Sequence, residues 1–127
     1  MFAPTAPVEW NKAVLVVDDS EVFATLVVEA LAERGLPALA VDSAAAAVAL
    51  IEAEPPMLVL SDFDMPGGNG LTLLEATRVS RPHLPFVLWS STALPAVAAE
   101  RARELEARVS LKLMGPDLDN LLRLALA

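Results

Sequence analysis

A chain of 127 residues has room for one domain with a genuine core and not for two. Its 55% hydrophobic content excludes disorder as the overall state, and charges or prolines interrupt every apolar stretch well short of the roughly 20 residues that a membrane span requires. The formal net charge of −8 opposes attraction to nucleic acid or anionic lipid, so neither direct DNA binding nor membrane association is expected, and the absence of cysteine excludes disulfides.

The opening Met1-Phe2-Ala3-Pro4-Thr5-Ala6-Pro7 lacks the basic and long apolar regions of a signal peptide, which makes the cytoplasm the expected location. Residues 1–12 carry two prolines and no periodicity and read as a loose arm, in which Trp10 has no evident place; residues 13–127 form the expected domain. Ala13 to Val17 is a short apolar run suited to a buried strand, and it ends in Asp18-Asp19-Ser20. Ser20 is placed to cap a helix. Behind it Phe23, Leu26, Val27, Ala30 and Leu31 recur at the spacing of a core-facing stripe, and Gly35 closes the helix.

Leu36 to Val41 predicts a second strand, and Ser43 caps an alanine-rich helix that runs to about Glu54 and stops at Pro55-Pro56. The third strand, Met57 to Leu60, runs into Ser61 and Asp62, and a Pro/Gly/Asn-rich loop from Pro66 to Gly70 follows at once. Gly70 leads into a helix through Leu71, Leu74 and Arg78 that ends near Pro82, and Phe86 to Ser90 is a fourth strand. Pro95 suits the first turn of a fourth helix reaching about Ala107, whose weak apolar pattern, with alanine where the other helices have leucine, makes it the least firmly packed. Val109-Ser110-Leu111 is a fifth strand ending at Lys112, and Pro116 to Ala127 a last helix with Leu118, Leu121, Leu122 and Ala125 facing inward. Leu124 and Leu126 fall off that stripe, so at least one is expected to be exposed and, with the fourth helix, to offer a partner surface.

Five strands alternating with five helices predict a doubly wound α/β fold, a parallel five-stranded sheet of order 2-1-3-4-5. In such a sheet ligands bind beyond the carboxyl ends of the strands. Asp18, Asp19, Asp62, Ser90 and Lys112 all stand there. Three carboxylates packed together repel one another, a conflict that a hard divalent cation resolves, and Mg²⁺ suits oxygen ligands and exchangeable waters best. Ser90 adds a hydroxyl and Lys112 a compact positive charge, both suited to phosphoryl oxygens. Together these groups describe an aspartyl-phosphate site with Asp62 as nucleophile, a carboxylate that needs no general base.

The acidic pair Asp18-Asp19, the run Asp62-Phe63-Asp64-Met65-Pro66 closed by Gly70, and the strand-end Ser90 and Lys112 together resemble a response-regulator receiver domain, over about residues 13–127. The resemblance implies that Asp62 accepts a phosphoryl group from a histidine kinase or histidine phosphotransfer protein. It also implies that Asp19, Asp62 and the Asp64 backbone carbonyl hold Mg²⁺ with Asp18 acting through water, and that Ser90 and Lys112 contact the phosphoryl group. Such a domain phosphorylates and dephosphorylates itself on Asp62 rather than turning over a separate substrate, and its output is protein–protein binding to a downstream partner or a dimer. Two positions depart from the family pattern. Val109 stands where receivers usually carry an aromatic, and Leu113 follows Lys112 where they usually carry a cis-bonded proline. The Lys112-Leu113 bond is therefore expected to be trans, since a cis bond there costs about 3 kcal/mol.

Two other readings compete. A phosphorylation-independent pseudo-receiver would share the fold, and Val109 and Leu113 favour it, whereas the complete set of acids beside Lys112 counts against it. Asp62-Phe63-Asp64 also resembles the nucleophile motif of haloacid-dehalogenase-like phosphatases. Those enzymes carry that motif on their first strand, and this chain has no room for a substrate-covering cap.

Overall fold

The computed structural model describes residues 9–65 and 69–127, so the loop residues Pro66, Gly67 and Gly68 and the arm before Glu9 lie outside it. Within the described residues a parallel sheet of order β2-β1-β3-β4-β5 is formed by β1 (Val14–Val17), β2 (Ala38–Val41), β3 (Leu58–Asp62), β4 (Phe86–Ser90) and β5 (Arg108–Leu111). The strands alternate with α1 (Glu21–Glu33), α2 (Ala44–Ala53), α3 (Gly70–Ser80), α4 (Ala96–Glu104) and α5 (Pro116–Ala125). This is the doubly wound fold and the strand order expected. Every residue of β1, β3 and β4 is buried, as a central parallel strand covered on both faces must be, while β5 at the edge is half-exposed.

The pleat sends alternate side chains to opposite faces and so divides the core in two. Val14, Val16, Leu58, Leu60, Val87 and Trp89 meet α1 and α5 on one face. Leu15, Val17, Val59 and Leu88 meet α2, α3 and α4 on the other. The caps are as the residue types demand. The Ser20 and Ser43 hydroxyls accept from the N–H groups of Phe23 and Ala46. Asn69 caps α3 by accepting from Thr72 N–H, a role the sequence reading gave to no residue.

Several boundaries and one helix phase differ from expectation. Along α1 the buried residues are Ala24, Val27, Val28, Ala30 and Leu31, and Leu26 is exposed. Val22, Phe23, Leu26, Val27, Val28 and Leu31 contain two overlapping stripes, and packing on β1 selects the one centred on Val27. The second strand begins at Ala38 rather than Leu36, because Leu36 N–H and Gly35 N–H turn back to the carbonyls of Leu31 and Ala32 to close α1, with Gly35 at φ 73°. Trp10, within the 3₁₀ turn Trp10–Lys12, docks against the α2–α4 core and donates its indole N–H to Glu54 O at 2.7 Å. On α5 Leu118, Leu121 and Leu122 are buried, Leu124 is exposed as expected, and Leu126 packs against the core.

The residues α4 buries are all alanines, Ala98, Ala99 and Ala102, which limits the apolar area it removes from water. It also ends at Glu104, short of Ala107, in the same closure as α1: Glu106 and Ala107 N–H donate to Arg103 and Ala102 O. Here the left-handed position, φ 58°, is held by Glu106 rather than a glycine, and its acid lies at the negative end of the helix dipole. Glu106→Gly is therefore expected to stabilise the domain by about 1 kcal/mol, raising the melting temperature by a few degrees. Loss of the carboxylate that opposes the burial-driven lowering of the Arg78 pKa offsets part of the gain. A lower melting temperature in this variant would show that the carboxylate outweighs the backbone strain.

At the opposite end of the sheet from the acidic strand ends, two arginines tie helix ends together. Arg78 donates to the carbonyls of Leu105, Arg81 and Leu84, and Arg81 donates to those of Ile51 and Glu52.

Candidate functional site

Because β1 and β3 are neighbours in parallel register, Val17 against Ser61, the residues that follow each strand emerge side by side. Asp18 and Asp62 are buried and Asp19 is exposed, and one carboxylate oxygen from each lies within 4.8 Å of the others. Asp18 is held by Ser20 N–H at 2.8 Å and by Lys112 Nζ at 2.8 Å. The same ammonium stands 3.4 Å from Asp62 Oδ1. Its backbone is fixed too, since Lys112 N–H donates to Ser90 O at 2.8 Å and so continues the β4–β5 ladder past the strand ends.

Asp62 is seated by the turn after β3. Phe63 N–H donates to Trp89 O at 2.8 Å, Asp64 N–H approaches Asp62 Oδ1 at 3.4 Å, and Gly70 N–H returns to Phe63 O at 2.9 Å. Gly70 has no substitute there: a Cβ would lie 2.3 Å from Asp62 O and 2.5 Å from Leu88 Cδ1. Burial pushes the Asp62 carboxyl up from the ordinary 3.8, the neighbouring Asp18 adds to the rise, and Lys112 opposes it. Three carboxylates against one ammonium leave an excess of negative charge, and all the donors are hard oxygens. That donor set fits a divalent cation of the magnesium type.

Asp18, Asp19, Asp62 and Lys112 thus come together as the sequence placed them. Ser90 is buried at the adjoining strand end, with its hydroxyl accepting from Thr92 N–H at 3.4 Å. Asp64 is exposed beside the loop. Sequence reasoning assigned Asp18 to a water-mediated role and missed that it is the nearer carboxylate to Lys112. It also missed Phe23, whose ring lies 4.4 Å from Lys112 Nζ. No cis peptide bond occurs among the described residues, so Lys112-Leu113 is trans as expected.

This geometry is matched by a family model, that of the response regulator receiver domain, over residues 14–112. The chain belongs to the response regulator receiver family. The receiver is 36% identical over 91 residues to the response regulator protein FleR of Pseudomonas aeruginosa, a match covering 72% of this chain and 19% of FleR. It is 32% identical over 78 residues to the photosynthetic apparatus regulatory protein RegA of Cereibacter sphaeroides, 61% of this chain and 42% of RegA. It therefore spans less than half the length of either relative. Among solved structures, a CheY-like receiver domain protein from Methanospirillum hungatei superposes with a TM-score of 0.82 at 25% identity, covering 91% of this chain and 93% of that one. The receiver domain of NtrX from Brucella abortus gives 0.76 at 29% identity, covering 89% and 97%. Among the described residues no helix of the receiver is long and apolar enough to cross a membrane.

Proposed function

We propose that this receiver takes a phosphoryl group onto Asp62 from a histidine kinase or histidine phosphotransfer protein and passes the signal on by binding a downstream protein. The observation that carries the reading is the meeting of Asp18, Asp19 and Asp62 within 4.8 Å, with Lys112 against two of them. A carboxylate oxygen of Asp62 attacks phosphorus, the P–N or P–O bond to the donor breaks, and the departing imidazole or carboxylate keeps the electron pair. Lys112 sits where charge on the phosphoryl oxygens develops, and Ser90 offers a hydroxyl at the next strand end. Asp18, Asp19, Asp62 and the Asp64 backbone carbonyl are the groups that would hold Mg²⁺. When bound, the ion neutralises acids and phosphoryl oxygens alike.

Incubation with Mg²⁺ and acetyl phosphate is expected to add a single base-labile phosphate per chain, read by intact mass, and chelation of the metal should remove the labelling. Asp19→Asn should raise the Mg²⁺ concentration required by about tenfold or more, the cost of losing a charged ligand. An unlabelled wild-type protein would overturn the reading. The second reading, a module that binds its partner without phosphorylation, is favoured by Val109, half-buried on the edge strand where an aromatic is usual. It predicts equal partner binding with and without the phosphate.

A further inference from the structure

Phe23 stands in the first turn of α1, on the face of the sheet shared with α5, and it has no part in acid–base or metal chemistry. The Lys112 ammonium lies over its ring, 4.4 Å from Nζ to the centroid. The ring is itself held from two directions. Its backbone N–H is the group that Ser20 caps, and its edge-to-face partner is Trp89, with centroids 5.8 Å apart and planes at 61°. Trp89 is fully buried in β4 and lies opposite Asp62 in the sheet register. Its indole N–H meets no acceptor among the described residues, so its contribution is the shape of the ring.

A lysine ammonium is a compact charge on a long, freely rotating stem, and pairing with carboxylates alone does not fix its position. An aromatic face attracts such a cation, more strongly where water is excluded, and the Lys112 side chain is only 12% exposed. We propose that Phe23 is a positioning residue for the phosphoacceptor site: its ring, set by Trp89, holds the Lys112 ammonium within reach of both Asp18 and Asp62. The charge is then in place before a phosphoryl group arrives. The inference rests on Asp62 being the phosphoacceptor. An aliphatic residue at this position would fill the same corner of the core but give the ammonium no face to rest on.

The test compares wild type, Phe23→Leu and Phe23→Tyr in the initial rate of labelling by acetyl phosphate at saturating Mg²⁺, with thermal melting of each. Phe23→Leu is expected to slow labelling about tenfold while still melting cooperatively, and Phe23→Tyr to stay within about twofold of wild type. Nuclear magnetic resonance supplies a signature that core filling alone would not move. The Lys112 side-chain methylene protons near Nζ should be displaced upfield by the ring in wild type and Phe23→Tyr, and return toward ordinary values in Phe23→Leu. If Phe23→Leu does not fold, Phe23→Met offers the same loss of the ring and carries the same expectation. A folded aliphatic variant that labels at the wild-type rate would overturn the proposal, as would an equal loss in Phe23→Tyr. Wild type that fails to label sinks the Asp62 reading itself, and that outcome is distinct from either.

Discussion

Asp62→Asn should abolish labelling by acetyl phosphate and Mg²⁺, by more than about a thousandfold, the scale on which removing a nucleophile acts. Asparagine keeps the volume and one oxygen at the strand end, but a neutral amide does not attack phosphorus. None of the neighbouring acids is placed to take over. Asp18 is occupied by Ser20 N–H and the Lys112 ammonium. Asp19 and Asp64 are exposed, and Lys112 pairs with neither among the described residues. Labelling of Asp62→Asn at a rate near wild type, followed by intact mass, would place the phosphate elsewhere. The same substitution should stabilise the metal-free protein. Burial and Asp18 raise the Asp62 pKa in the folded state above the ordinary 3.8, so the ionised carboxylate works against folding at neutral pH. That penalty is absent at pH below 3.8, where the acid is protonated in both states, and grows as pH rises toward the folded-state value. The stability advantage of Asp62→Asn, measured by urea denaturation without metal, should accordingly widen with rising pH and then level off.

Gly70→Ala should cost about 3 kcal/mol of stability, read from urea denaturation. The added methyl would sit 2.3 Å from the backbone oxygen of Asp62, 2.5 Å from Leu88 Cδ1 and 3.0 Å from Ser61 Oγ. Leu88 is fully buried and the Asp62 carbonyl belongs to a central strand, so relief requires moving the end of β3 or withdrawing the first turn of α3. Alanine's better helix propensity recovers less than about 1 kcal/mol of that. Either movement shifts the carboxylate of Asp62 relative to Lys112, so labelling should fall along with stability. A loss below about 1 kcal/mol would show that the α3 end yields more easily than its packing implies.

The strand order and the strand-end residues were legible because each strand is a short apolar run bounded by a polar group or a turn, and parallel topology brings those ends to one edge. Asp18, Asp19, Asp62 and Lys112 could be placed together without knowing any angle. What could not be read depends on angles. The phase of α1 turns on which of two overlapping stripes meets β1, and so on whether Leu26 or Ala24 is buried. Which of two adjacent aspartates receives the ammonium is a matter of a few ångströms across β1 and β5. The ring of Phe23 meets Lys112 across the sheet edge, a contact between residues far apart in the chain that no local spacing encodes. Trp10 finds its acceptor at Glu54, 44 residues away, a pairing with no local signal at all.

The arginine ties at the far end of the sheet bear on how this receiver can change over evolutionary time. Arg78 joins carbonyls at the end of α4 and in the loop before β4, and Arg81 ties the end of α3 to carbonyls at the end of α2, each with a planar, charged fork. The scaffold is thus fastened at its base, remote from the rim that carries Asp62. Substitutions along the rim can change the charge there without drawing on the same bonds that keep the helices seated. The two ends of the molecule can therefore accept substitutions independently of each other.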